Sequence, residues 1–270
     1  METQVSFSAK DVMQLRQKTG LGMMDCKNAL AENNGDMAAA EQWLRAQRKG
    51  KMDTRTERTT GEGRIGIRID GSQAAIVEVQ TETDFTAKND GFVQMVEDVV
   101  NEAITLPAGD LQPSEAMTKR IDDLRITTGE NVNFARGQKL EGGTFGQYLH
   151  HDGKRAALVQ IDGGAGDAPD EEMLKGLCQH IVFHDPIGIS EADVDAAKLE
   201  EIRQNAIEEA KKTGKPEEIA QKMSEGKVRK YLEENTLLHQ KYILDESKMI
   251  KELLPEGVTI KAFIRYTLGS

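Results

Sequence analysis

Apolar side chains recur at helical spacing through the opening stretch of the chain. Val12, Met13 and Leu15 follow Ser8, and Asp11 stands three positions after that serine as in a capping box, which predicts a first helix ending at Thr19-Gly20. A second helix is expected over 23–33, with Met24, Ala29 and Leu30 on one side. Asn34-Gly35-Asp36 then turns the chain into a third helix carrying Ala40, Trp43 and Leu44. The pattern describes a self-contained three-helix module.

From Arg45 to Arg68 the large apolar residues thin out and eight basic residues face three acidic ones, the composition of a solvated linker. An arm that binds RNA is the alternative, but the stretch lacks the interleaved aromatics that stack on bases. Gly61-Glu62-Gly63-Arg64-Ile65-Gly66 matches the dinucleotide fingerprint letter for letter. Its context is wrong, because the residues from Arg64 to Asp70 alternate like a strand that follows the glycines instead of preceding them, and Asp70-Gly71 then turns a hairpin.

An internal repeat comes next. Asp70-Gly71-Ser72-Gln73-Ala74-Ala75-Ile76-Val77-Glu78-Val79 returns 82 residues later as Asp152-Gly153-Lys154-Arg155-Ala156-Ala157-Leu158-Val159-Gln160-Ile161. Each copy reads as a hairpin turn and a strand, followed by a helix over 92–104 in the first case and 171–183 in the second. Two related α+β subdomains with small antiparallel sheets covered by helices are the simplest architecture. Beyond them, Val194, Leu199, Ile202, Ala206 and Ala210 form one apolar stripe, and Ile219, Met223, Val228 and Leu232 form another. Thr213-Gly214-Lys215-Pro216 separates the two, so a protruding antiparallel helical hairpin of coiled-coil type is expected over 190–235. Alternation of Ile260, Ala262, Ile264, Tyr266 and Leu268 predicts a closing strand.

Composition narrows the function. A net charge of -11 opposes general affinity for nucleic acid, and 30% charged residues with 4% aromatics suit a helix-rich, extended molecule. Cys26 and Cys178 are too far apart in sequence to suggest a disulfide framework, and no apolar run is long enough to span a bilayer. A reducing, cytoplasmic setting and no membrane are expected. Catalytic motifs are missing: there is no phosphate-binding loop, no Gly-x-Ser-x-Gly elbow and no Cys-x-x-Cys. Cys178, His180 and His184, with Asp185 nearby, form the best metal-like cluster, but ordinary helix residues are the favoured reading, and no metal or cofactor is implied.

One segment stands apart. In Thr81-Glu82-Thr83-Asp84-Phe85-Thr86-Ala87-Lys88 an aromatic sits among polar residues directly after the first repeated strand. Phe85 either caps the core beneath a loop or anchors in a partner's pocket. The second copy has Gly163-Gly164-Ala165-Gly166 at the corresponding place, so only one half carries such a residue.

The chain as a whole resembles the translation elongation factor Ts proteins. The run from Leu15 through Thr19-Gly20-Leu21-Gly22-Met23-Met24-Asp25-Cys26 to Leu30 is similar to that family's amino-terminal signature, and Thr83-Asp84-Phe85 to its Thr-Asp-Phe-Val element. Gly129-Glu130-Asn131, Tyr148-Leu149-His150, Gly214-Lys215-Pro216, Glu225-Gly226-Lys227 and Phe263-Ile264-Arg265-Tyr266 extend the match in family order. The resemblance implies a UBA-like three-helix domain over 1–50, a linker over 51–63, and a core subdomain over 64–145. It implies a second core subdomain over 146–189 and 236–270, with the hairpin inserted between its parts. It further implies a guanine nucleotide exchange factor for elongation factor Tu, working by contact and binding no nucleotide itself. Phe85, with Asp84, Thr83 and Thr86, would enter the GTPase near its switch helices. Arg16, Met23 and Met24 would touch another part of the GTPase domain, and His150 and Gly129 its third domain. Thr81 stands where many members have cysteine and Thr86 where the family usually has valine, which predicts a less firmly anchored loop.

Overall fold

The computed structural model describes residues 7–270 apart from Arg55 and 164–168. It is mixed helix and strand, an α+β chain with small antiparallel sheets and an amino-terminal helical region. Two compact units are distinguished: residues up to Gly66 with Val77–Gln138 and Gly269, and Ile67–Ile76 with Lys139–Leu268 and Ser270.

In the first unit, α1 (Ala9–Thr19) begins at the expected capping box and ends at Gly20, whose φ of 70° is the left-handed cap that glycine adopts without strain. After it come α2 (Met23–Glu32) and α3 (Met37–Asp53). Leu15, Leu21, Cys26, Leu30 and Leu44 make the bundle core. Two positions read as apolar-face residues lie outside it: Met13 is 54% exposed and Met24 64%. Helical geometry gives the reason, since one residue past Val12 turns about 100° from the core face, and two residues before Cys26 turn about 200°.

The basic stretch is not all linker. It enters α3, where Arg45 pairs with Asp123 at 2.6 Å and Lys49 with Asp122 at 3.2 Å, both acids lying on a later helix. That helix also gives Ile126 to the bundle core, so the module is not self-contained.

Strands β1 (Glu62–Asp70) and β2 (Gln73–Thr81) meet at the Asp70-Gly71 turn. The fingerprint glycines lie at β1: a side chain on Gly63 would collide with the Val79 carbonyl, and one on Gly66 would come within 2.9 Å of Val96. Close packing accounts for both. The one-turn helix α4 (Asp84–Ala87) follows, and then α5 (Asp90–Ala103), which buries Phe92, Met95, Val96, Val99 and Val100 along one face. A short β3 (Gly109–Asp110), α6 (Glu115–Thr128) and β4 (Val132–Glu141) complete a sheet of order β1-β2-β4-β3.

The second unit holds β5 (Thr144–Leu149), β6 (Arg155–Asp162) and α7 (Glu171–His184). The hairpin helices are α8 (Ala196–Lys212) and α9 (Glu217–Asn235). After them come β7 (Lys241–Tyr242), β8 (Asp245–Met249), α10 (Ile250–Leu253) and β9 (Thr259–Thr267). β6 is central, antiparallel to β5 and β9. Both repeated strands are thus the middle strands of their sheets, and 74–79 and 156–161 are buried without alternation, the pattern of strands covered on both faces. In the hairpin the α9 seam is Ala220, Ser224, Val228 and Leu232, a strict four-residue row. Ile219 falls one position off that row and is 42% exposed, contrary to its expected place in the stripe. The glycine-rich counterpart of 81–85 lies, beyond Gly163, outside the described residues.

Candidate functional site

Phe85 is 84% exposed, although Thr86 and Ala87 beside it are buried. It rides on α4 rather than on an irregular loop. Thr83 is the N-cap: its Oγ1 accepts from the Thr86 N–H at 3.3 Å. Ala87 and Lys88 donate their N–H groups to the carbonyls of Thr83 and Asp84, each at 3.1 Å. At the surface Lys88 Nζ donates to Asp84 Oδ2 at 2.7 Å, an exposed i,i+4 pair of small energetic weight.

Beneath the turn lies Glu130. Its Oε2 accepts from the Thr81 hydroxyl at 2.9 Å and the Thr83 N–H at 3.2 Å, and its Oε1 from the Thr83 hydroxyl at 2.7 Å. The Thr86 hydroxyl also favours the charged form of this carboxylate. Burial alone would raise the carboxyl's pKa, but these donors outweigh it and hold Glu130 below the ordinary range. Gly129, the left-handed cap of α6 at φ 75°, ends that helix and directs Glu130 to the turn. A second tie runs the other way: Glu82 accepts the Asn131 N–H at 2.7 Å, and Asn131 Nδ2 donates to the carbonyls of Thr56 and Arg58 at 3.1 and 2.9 Å. Of the two threonines expected to weaken the anchoring, Thr81 brings a hydroxyl donor to Glu130 at 2.9 Å, where cysteine would supply only a weak one.

The other expected residues fall in two places. Arg16, Met23 and Met24 are exposed on the helical bundle, with Met23 48% exposed. His150, in the second unit, is half-buried. The Tyr148 hydroxyl holds its Nδ1 at 2.8 Å, and its ring meets Phe183 edge-on with centroids 5.8 Å apart. Arg155 lies over the half-exposed Phe183 ring at 5.7 Å, and Phe183, one residue from the end of α7 and next to buried Val182, has no sequence signal that separates it from the core. Glu130, Glu82 and Asn131 were also missed as site residues. Gly129-Glu130-Asn131 holds the signal, in the carboxylate and amide that follow its glycine.

The metal-like cluster of α7 has structural partners. His180 is fully buried; its Nε2–H donates to Gln240 at 2.9 Å, and its Nδ1 accepts from the Ile243 N–H at 3.2 Å. Burial pushes the Cys178 thiol's pKa up, which leaves it an inert core residue. Among the described residues no group of His, Cys, Asp or Glu is arranged to hold a metal, and no helix is long and apolar enough to cross a membrane.

A ring displayed on a fully bonded turn, with exposed methionines and a charged surface, is the chemistry of a contact surface. The family described as "Elongation factor TS" matches residues 82–270, and "Elongation factor Ts, mitochondrial, N-terminal" matches residues 1–51. Elongation factor Ts of Ruegeria sp. (strain TM1040) is 38% identical over 277 residues, covering 98% of this chain and 93% of that one. The proteins of the same name from Bartonella tribocorum and Idiomarina loihiensis are 36% and 34% identical, each over 98% of this chain and over 94% and 92% of their own. The chain belongs to the elongation factor Ts family.

Proposed function

We propose that this protein is the guanine nucleotide exchange factor for elongation factor Tu, acting in the cytoplasm by contact and holding no nucleotide of its own. It binds the GDP-bound GTPase and presents Phe85 near the switch helices. Asp84 supports the turn, and Thr83 and Thr86 fix its pitch. Insertion there disturbs the magnesium and phosphate site, GDP leaves, and GTP reloads the GTPase for the next elongation cycle. Arg16, Met23 and Met24 form a further contact with the GTPase domain, and His150 and Gly129 reach its third domain.

The physical basis is linkage. A partner that favours the nucleotide-free state weakens nucleotide binding by the factor that nucleotide weakens the partner, and a coupling of about 4 kcal/mol corresponds to roughly a thousandfold. The observation that carries the reading is the exposure of Phe85, at 84%, above a turn whose polar groups are bonded inward. Such a ring gains by docking and loses little freedom in doing so. Stopped-flow release of a fluorescent GDP from elongation factor Tu tests it: the unaltered chain accelerates release, and Phe85→Ala does so far less.

A further inference from the structure

We propose that Glu130 is a positioning residue for exchange, acting through Phe85. The inference rests on the functional reading above and extends it to a residue outside the contact set. One carboxylate gathers the hydroxyls of Thr81, before the turn, and Thr83, at its start, together with the Thr83 N–H. A four-residue helix has too few internal bonds to hold its own shape, because nucleation fixes several residues before it is repaid. The Glu130 network replaces that missing cooperativity.

The location of Glu130 adds to this. It follows Gly129 at the end of α6, the helix that also gives Ile126 to the bundle core and Asp122 and Asp123 to Lys49 and Arg45. The turn is therefore fixed to the short connection between α6 and β4, one residue beyond the cap of a helix that is itself packed and paired. The fully buried Thr81 hydroxyl, 2.9 Å from Oε2, ties the end of β2 to the same carboxylate.

Two readouts on the full-length protein test it. The first is amide hydrogen exchange of Ala87, Lys88 and Asn89 in the free protein; the second is the rate of fluorescent GDP release from elongation factor Tu. Glu130→Ala is expected to remove protection at those amides while leaving that of α5 and β2 in place, and to slow the accelerated release about tenfold, the scale of losing one charged hydrogen bond. Glu130→Gln keeps an acceptor oxygen and should recover most of the rate, to within about threefold of the unaltered chain. Unchanged protection of the turn in Glu130→Ala, or a loosened turn with an unchanged rate, overturns the proposal. Should the alanine variant fail to fold, Glu130→Gln carries the test: partial loss of turn protection supports the proposal, and none overturns it. If the unaltered chain does not accelerate release at all, the exchange reading fails, and the amide result alone decides whether Glu130 holds the turn.

Discussion

Phe85 and Phe92 stand seven residues apart in one short stretch of chain, and their surroundings are opposite. Phe92 is fully buried in α5, whereas Phe85 is 84% exposed on the one-turn helix before it. Burial of a large ring in a packed face stabilises the fold. A ring left in water over a turn bonded to Glu130 contributes little to stability and remains available for a partner. The same residue type is thus core in one place and exposed in the other, and the polar network beneath the exposed ring holds its backbone without burying it.

The contrast can be broken at several points. Phe92→Ala should cost the most, about 3–5 kcal/mol in unfolding free energy by urea titration, from lost transfer energy plus the cavity. A result near zero would mean that α5 does not depend on that ring. Acid comes next. Burial, chiefly, and the nearby His184 push the pKa of His180 down to about 4 from 6.5, against the opposing hydrogen bond to Gln240. Above pH 6.5 both folded and unfolded states are neutral there, so that part of the stability is fully present. As pH falls from 6.5 towards 4 the unfolded state takes up a proton that the folded state refuses, and about 3 kcal/mol is lost in total. Unfolding midpoints at pH 7 and pH 4.5 should differ accordingly, and a His180→Gln variant should show a flatter profile.

Thr81→Val removes one donor from Glu130 at a fully buried site and should lower stability by about 1 kcal/mol, with exchange slowed in proportion as the turn loosens. A variant as stable as the parent would show that the hydroxyl is idle. Phe85→Ala should change unfolding free energy least, within about 0.5 kcal/mol, as befits an exposed residue. A large loss there would place Phe85 in the fold's own packing and remove the contrast.

Much of this was legible in the sequence because it rests on period and punctuation. The capping box at Ser8, the repeated Asp-Gly turns and the apolar runs after them carry their structure locally. What was not legible rests on pairing across distance. α6 and β4 went unassigned between the two copies because their apolar positions are diluted by charge, and Arg136 on β4 finds its reason only in Glu78, buried on β2 with Nη2 and Oε2 2.8 Å apart. α3 extends through basic residues that look solvated until Asp122 and Asp123 are set against them. At the site, Phe85 was visible as an aromatic among polar residues. Its anchor was hidden, since Glu130 lies nearly fifty positions from Thr81 and Thr83 and has no local signature.

The central claim is that Phe85 serves the partner and not the fold. Stopped-flow release of fluorescent GDP from elongation factor Tu, with the unaltered chain and with Phe85→Ala of verified stability, measures it most directly. Strong acceleration by the first and at least a tenfold smaller effect from the second are expected; equal acceleration by both would show that Phe85 does not serve the partner.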